Sequence, residues 1–211
     1  MKKVYALNAS PRKGWTSEEL LDSFIQGIKD TTSEIEVEKV HIYDLDYKGC
    51  RSCFACQLKS SEEEICLYRD GAYDLLRGIK TSDGLVFAAP IYYSDLPSQM
   101  RALIERLFHS GDAKREIPTS MIYTMNQPED VSELRFRPHT DRIAEFFRRG
   151  FHTEPDELYS CFTLHWNNPE KYKWPMELYE RKVEHRETQW PIDLKNAYDA
   201  GVRFAGRVLS C

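Results

Sequence analysis

Long apolar runs are missing from this chain of 211 residues. Its hydrophobic stretches, such as residues 84–89, fall far short of the ~20 residues that a bilayer-crossing helix needs. A basic excess is also missing. Lys and Arg number 29 against 34 Asp and Glu, a net charge of −5. Neither nucleic acid nor an anionic lipid surface is therefore an expected partner. There is no internal repeat and no low-complexity tract. The opening residues, Met1-Lys2-Lys3-Val4, lead straight into a short apolar run. They form neither a signal-peptide core nor a small-residue cleavage site, so a soluble cytoplasmic protein is expected. With 41% hydrophobic and 30% charged residues, the composition is that of a globular protein, read as one domain over residues 1–211.

What the chain does have is clustered cysteine. Four of its six cysteines, Cys50, Cys53, Cys56 and Cys66, fall in one short stretch, while Cys161 and Cys211 stand apart. Disulfide frameworks belong to small secreted chains. Clustered thiols in a reducing compartment point instead to metal, an iron–sulfur cluster or reactive cysteine, or they are merely small buried side chains.

Apolar spacing alternates between strand and helix. Residues 3–8 read as a buried strand. A turn-rich run follows, then a helix capped by Thr16, with Glu19 completing a capping box. Residues 35–42 alternate as a half-covered strand, and residues 84–89 form a continuous run suited to a central parallel strand. Met100, Leu103, Ile104, Leu107 and Phe108 mark an amphipathic helix. Strands are expected over 118–124 and 158–164, and helices over 72–79, 140–149 and 193–209. Residues 49–70 read as a cysteine-rich ordered loop, with Glu62, Glu63 and Glu64 as solvated surface. Residues 166–191, rich in Trp, Tyr, Glu and Pro, read as an insertion before the last helix. There Trp166, Trp174 and Trp190 would pack together, meet a second subunit or cover a ligand. His41 and His109 are expected at element ends, and His165 in a packing role. Five strands alternating with helices imply a parallel, doubly wound α/β sheet.

In such sheets ligands bind beyond the carboxyl ends of the strands. Three loops leave those ends. The first offers Ser10, Thr16 and Ser17 hydroxyls, Arg12 and Lys13 charge, and the free N–H groups of a helix start, a setting suited to phosphate. It is neither a GxGxxG fingerprint nor a GxxxxGK[ST] loop. The second sets Tyr92 and Tyr93 beside Pro90, where rings can flank a planar ligand. The third begins at Thr124.

Together, in order, these motifs resemble the NAD(P)H-dependent FMN reductase family, including its iron–sulfur flavoprotein branch. The run from Asn8 to Ser17 is similar to that family's phosphate loop. Pro90-Ile91-Tyr92-Tyr93, with Gln99, Leu103, Ile104 and Arg106 after it, resembles the second flavin loop and following helix. The cysteines, with Asp70 past Cys66, resemble the branch feature. The likeness covers roughly residues 1–126. It implies a flavodoxin-like fold with strand order 2-1-3-4-5, helices on both faces, and non-covalent FMN. Ser10, Arg12, Thr16 and Ser17 would hold the phosphate. Pro90, Ile91, Tyr92 and Tyr93 would line the ring and ribityl chain, and Thr124, Met125 and Asn126 would form a third wall. The flavin carries the chemistry, so no side chain need be a nucleophile.

Cys50-x2-Cys53-x2-Cys56 followed by Cys66 is close to iron–sulfur spacing. The gap before Cys66 is longer than the branch usually has. A [4Fe–4S] cluster, zinc and free thiols all stay open. The leading expectation is an oxidoreductase passing electrons from NAD(P)H through FMN to a quinone, a nitro- or azo-compound, or a protein, as a homodimer or homotetramer. An electron carrier with a cysteine-ligated cluster, and a flavin-free thiol or zinc regulator, are the alternatives.

Overall fold

The structure is a computed structural model describing residues 1–58 and 65–211. Five strands, β1 (Lys2–Asn8), β2 (Ile35–His41), β3 (Gly84–Pro90), β4 (Thr119–Thr124) and β5 (Asp156–Ser160), form one sheet. Its order is β2-β1-β3-β4-β5 and every pairing is parallel. The expected flavodoxin-like doubly wound fold is therefore present. Six helices connect or flank the strands: α1 (Thr16–Thr31), α2 (Tyr73–Thr81), α3 (Ser98–His109), α4 (Glu129–Arg135), α5 (Arg137–Phe151) and α6 (Met176–Ser210).

The apolar positions sort onto two faces. Leu7, Phe87, Leu103, Leu107 and Phe147 belong to a core under α2, α3 and α5. Val4, Ala6, Phe24, Val86 and Phe204 belong to a second core under α1 and α6. Burial on both faces explains why β3 is apolar without alternation. Helices α1 and α6 approach closely because each carries a glycine at the crossing. A Cβ on Gly27 would lie 2.2 Å from the Tyr198 carbonyl oxygen, and one on Gly201 would lie 2.0 Å from that of Phe24. Among the described residues no helix is long and apolar enough to cross a membrane.

Four expectations are corrected. Thr16 does not cap α1: Trp15 is the extended N-cap residue, without a side-chain cap, and Thr16 opens the helix. Glu18, not Glu19, reaches back, accepting the Gly14 N–H at 2.6 Å, while Glu19 pairs with Arg186. The last strand is Asp156–Ser160 and not 158–164, because Phe162 takes a left-handed φ of 51° that breaks the extended run. Helix α4 was not foreseen, and α5 starts ahead of Thr140. Finally, α6 begins at Met176, so most of the stretch read as an insertion is helix continuous with the C-terminal one, running through Pro191. The acidic run Glu62–Glu64 lies outside the described residues.

Candidate functional site

The register brings the loop starts together. Pro90 pairs with Thr124 and Thr124 with Ser160, so β3, β4 and β5 end level, while Asn8 pairs with Ala88 and β1 ends two residues short of them at the same edge. The loops predicted from sequence all leave this edge.

The β1 loop is wound by its own polar side chains. Asn8 accepts the Ser10 N–H at 2.9 Å, and the Ser10 hydroxyl accepts the Arg12 N–H at 3.2 Å. Such local side-chain-to-backbone bonds hold a turn without a ligand. Ser10, Thr16 and Ser17 are buried and Arg12 is exposed. Behind the loop, Glu18 meets Lys39 at 2.6 Å and His41 Nε2 at 2.9 Å, and His41 Nδ1 lies 3.1 Å from the Asn8 amide. Burial alone would raise the Glu18 carboxyl. The Lys39 bond, the Gly14 N–H and the His41 charge outweigh it and hold the group below its ordinary range. His41 thus ends β2, and His109 ends α3, as expected.

The Ser17 hydroxyl lies 2.8 Å from that of Thr124, tying the first turn of α1 to the end of β4. The second loop is a two-residue hairpin turn. Tyr92 and Asp95 exchange backbone bonds of 2.8 and 3.1 Å, while Tyr93 and Ser94 take φ of 50° and 70°. Left-handed backbone at two non-glycine residues costs energy and is found mostly where function needs it. It throws the Tyr93 ring wholly into solvent, leaving Tyr92 half-covered at 44% exposure. Burial raises the Tyr92 hydroxyl above its ordinary pKa, opposed by the Arg12 charge, which links the first two loops. Met125 donates its N–H to Ser160 O at 3.0 Å and accepts the Thr163 N–H at 3.0 Å.

The sequence reading missed the segment that follows β5. Three consecutive carbonyls there accept donors from three elements. Thr163 O takes Lys182 Nζ at 3.0 Å, Leu164 O takes the Thr16 hydroxyl at 3.3 Å, and His165 O takes Arg12. Two of the predicted phosphate ligands thus bond to carbonyl oxygens, which offer the acceptor chemistry of a phosphate oxygen. His165 is half-buried, and burial pushes its imidazole down to about 4. Trp166 is buried and stacks on Trp174 at 5.5 Å with His165 edge-on at 4.0 Å, while Trp174 stays exposed at the edge of the cluster. Three buried polar atoms near the crevice have no partner: Trp15 Nε1, Trp166 Nε1 and Asn126 Oδ1. Buried groups are normally satisfied. Orphaned donors beside an arginine and a helix N-terminus fit an anionic ligand with polar edges, as a flavin mononucleotide is.

The cysteines occupy a separate cleft. Cys50, Cys53, Cys56 and Cys66 line it together with Arg106. The loop between the first three takes left-handed backbone at Ser52 and Phe54. Arg106 is buried and holds both loop ends, with Nη1 on Asp70 at 2.7 and 2.9 Å and on Lys48 O at 3.2 Å, and Nη2 on Tyr68 O at 2.9 Å. Burial and the neighbouring cysteines raise the Cys56 thiol. All six cysteines are free. Among the described residues, no three His, Cys, Asp or Glu stand in metal-binding geometry. The donor set is that of a cluster or zinc, but it is not drawn together.

Similar proteins are known both by sequence and by structure. An iron–sulfur flavoprotein of Archaeoglobus fulgidus is 32% identical over 109 residues, 52% of this chain and 47% of that protein. One of Methanosarcina thermophila is 27% identical over 104 residues, 49% and 51% of the two chains. Each match thus spans about half of the relative. Among solved structures, the NAD(P)H:quinone oxidoreductase of Methanothermobacter marburgensis superposes with TM-score 0.62 at 17% identity, covering 95% of this chain and 98% of that one. An FMN-dependent NADH-azoreductase of Bacillus anthracis in complex with FMN does so with TM-score 0.65 at 12% identity, covering 97% and 100%. At such identities these two share the fold. The family model for NADPH-dependent FMN reductase matches residues 2–126, the part that builds the β1 loop, the tyrosine turn and the end of β4, and this chain belongs to that family.

Proposed function

We propose that this chain is an FMN-dependent oxidoreductase of a single domain, 1–211, that takes electrons from NAD(P)H and delivers them to a small acceptor such as a quinone or a nitro- or azo-compound. The observation that carries this is the convergence of three loops at one sheet edge, with Ser17 bonded to Thr124 across them. Ser10, Arg12, Thr16 and Ser17 would hold the phosphate at the positive end of α1. For Arg12 and Thr16 this means exchanging a carbonyl partner for a charged one, and hydrogen bonds to charged groups are the stronger kind. Pro90, Ile91, Tyr92 and Tyr93 would bound the ring on one side, and Thr124, Met125 and Asn126 on another, with Asn126 Oδ1 free to accept from it. When bound, FMN supplies hydride acceptance and onward electron transfer; the chain supplies orientation and electrostatics. Protein purified from cells is expected to be yellow, to release FMN on denaturation and to oxidise NADPH steadily when a quinone is added. A colourless protein that neither binds added FMN nor turns over NADPH contradicts this reading.

A second reading rests on the four thiols around one cleft. Here Cys50, Cys53, Cys56 and Cys66 hold a [4Fe–4S] cluster, and the protein passes single electrons to a protein partner. Iron and acid-labile sulfide in protein purified without oxygen support this carrier; their absence leaves thiols. A homodimer or homotetramer is the proposed assembly, read by light scattering.

A further inference from the structure

Lys182 lies on the N-terminal half of α6, where residues 176–190 are otherwise exposed or half-buried, yet it is wholly buried. Its Nζ donates to Asn126 O at 2.9 Å and Thr163 O at 3.0 Å, and lies 4.0 Å from the centre of the Phe162 ring. One ammonium therefore joins the loop after β4 to the segment after β5. No carboxylate pairs with it among the described residues, and burial alone drives its pKa down to about 8. A buried charge without a counter-ion is costly, and such residues are uncommon unless something offsets them.

Two carbonyls and the Phe162 ring solvate the ammonium in part, but among the described residues the groups facing it bring no negative charge. From the segment after β5 comes His165, from its own helix come His185 and Arg181, the last over the same Phe162 ring, and the β4 loop offers neutral Asn126. Asp193 acts on His185, not on Lys182, and Glu19 is taken by Arg186. Arg12 adds a second cation to the same segment. Beside the orphaned indole N–H groups of Trp15 and Trp166 and the orphaned Asn126 Oδ1, this wall therefore carries positive charge that no carboxylate among the described residues pairs.

We propose that Lys182 is the countercharge built beside the candidate site for its anionic mononucleotide, a positioning residue that clamps the loop after β4 to the segment after β5. This rests on the FMN reading above. An anion beside the ammonium favours its charged form, so binding raises its pKa. Well below pH 8 the lysine is charged with or without ligand. Above pH 8 it is mostly neutral in the flavin-free protein and charged in the complex. Binding then takes up a proton, and affinity falls as pH rises.

The test is calorimetric titration of FMN into flavin-stripped protein at pH 8.5, in two buffers of different ionisation enthalpy, for wild type and K182M. Wild type is expected to take up a substantial fraction of a proton, and to bind FMN roughly tenfold more weakly at pH 9 than at pH 7. K182M is expected to show neither effect. A lysine that only packs would weaken binding equally at every pH and leave the proton uptake intact. Should K182M fail to fold, K182Q, which keeps N–H donors, serves in its place. Equal uptake in wild type and variant, or FMN binding by wild type without uptake, overturns the role of Lys182 and leaves the FMN reading standing. No binding of FMN by folded wild type at any pH overturns that reading, and the countercharge with it.

Discussion

The β1 loop and the cysteine loop are both irregular segments that leave strand ends, but they are held in opposite ways. The β1 loop is fastened from within: Asn8, Ser10 and Glu18 bond its backbone residue by residue. The cysteine loop is fastened from outside: Arg106 takes Lys48, Tyr68 and Asp70, and elsewhere on α3 Glu105 accepts the Cys50 N–H and His109 O accepts the Gln57 amide, while Ser52 and Phe54 hold left-handed backbone. A site wound from within is ready before its ligand arrives. A site fastened by its neighbours leaves its thiols to be gathered by whatever binds there, and metal-dependent ordering of ligands is common for thiolate sites.

Removing the arginine should break the cysteine loop most severely. R106L strips Asp70 of its partner and frees two carbonyls, and loss of one partner of a buried pair costs about 3–5 kcal/mol. Urea unfolding should register that loss, and hydrogen exchange should rise over residues 48–58 and 65–70 more than over 8–17. Equal exchange in both loops would erase the contrast. Next in size is S10A/T16A. Phosphate bonds of this kind contribute roughly 1.5–3 kcal/mol each, so FMN affinity should fall more than tenfold. The cysteine loop should be unaffected, and unchanged FMN binding would refute the phosphate assignment.

A smaller effect is expected from E18Q, which removes the charge shared by Lys39 and His41. The folded-state pKa of Glu18 is depressed, so its contribution is present above the unfolded value of about 4.3 and is lost as pH falls through the folded value. Wild type should exceed the variant by about 1 kcal/mol at pH 7, and the two should converge in acid. Melting curves across pH read this directly. The least effect is expected from Y93G. Relief of left-handed strain, about 1–2 kcal/mol, is offset by glycine's extra unfolded-state entropy of roughly 0.5–1 kcal/mol. The melting temperature should hold or rise slightly, while a change in quinone turnover would assign the exposed ring a part in acceptor binding.

The sheet was legible because β3 is an apolar run that only a two-sided sheet buries, and β1 and β4 carry short apolar centres between turn-rich segments. The loops were legible because hydroxyl, arginine and tyrosine side chains gather at strand ends, where a doubly wound sheet places its ligands. The last third was not. Residues 176–190 form a helix that is largely solvated, with Lys182 its fully buried side chain, so it shows no apolar stripe at helical spacing. The run Cys161-Phe162-Thr163-Leu164 is apolar enough for a strand, but the backbone turns at Phe162 and pairs instead with Met125 and Gln127. Lys182 itself carries no sequence signal, since a lysine in a polar helix is ordinarily solvated. The Thr16 cap was misread because its hydroxyl is drawn to Leu164, a partner 148 positions away.

The reciprocal glycines of α1 and α6 have a mechanical consequence. Gly27 and Gly201 let the two helices touch backbone to backbone, leaving no layer of side chains to absorb a shift. Helix α1 begins at the turn bearing Thr16 and Ser17, and α6 bears Lys182. A single methyl group at either contact must therefore displace both of these helices together, so that an alteration far from the strand ends would be felt on two sides of the same opening.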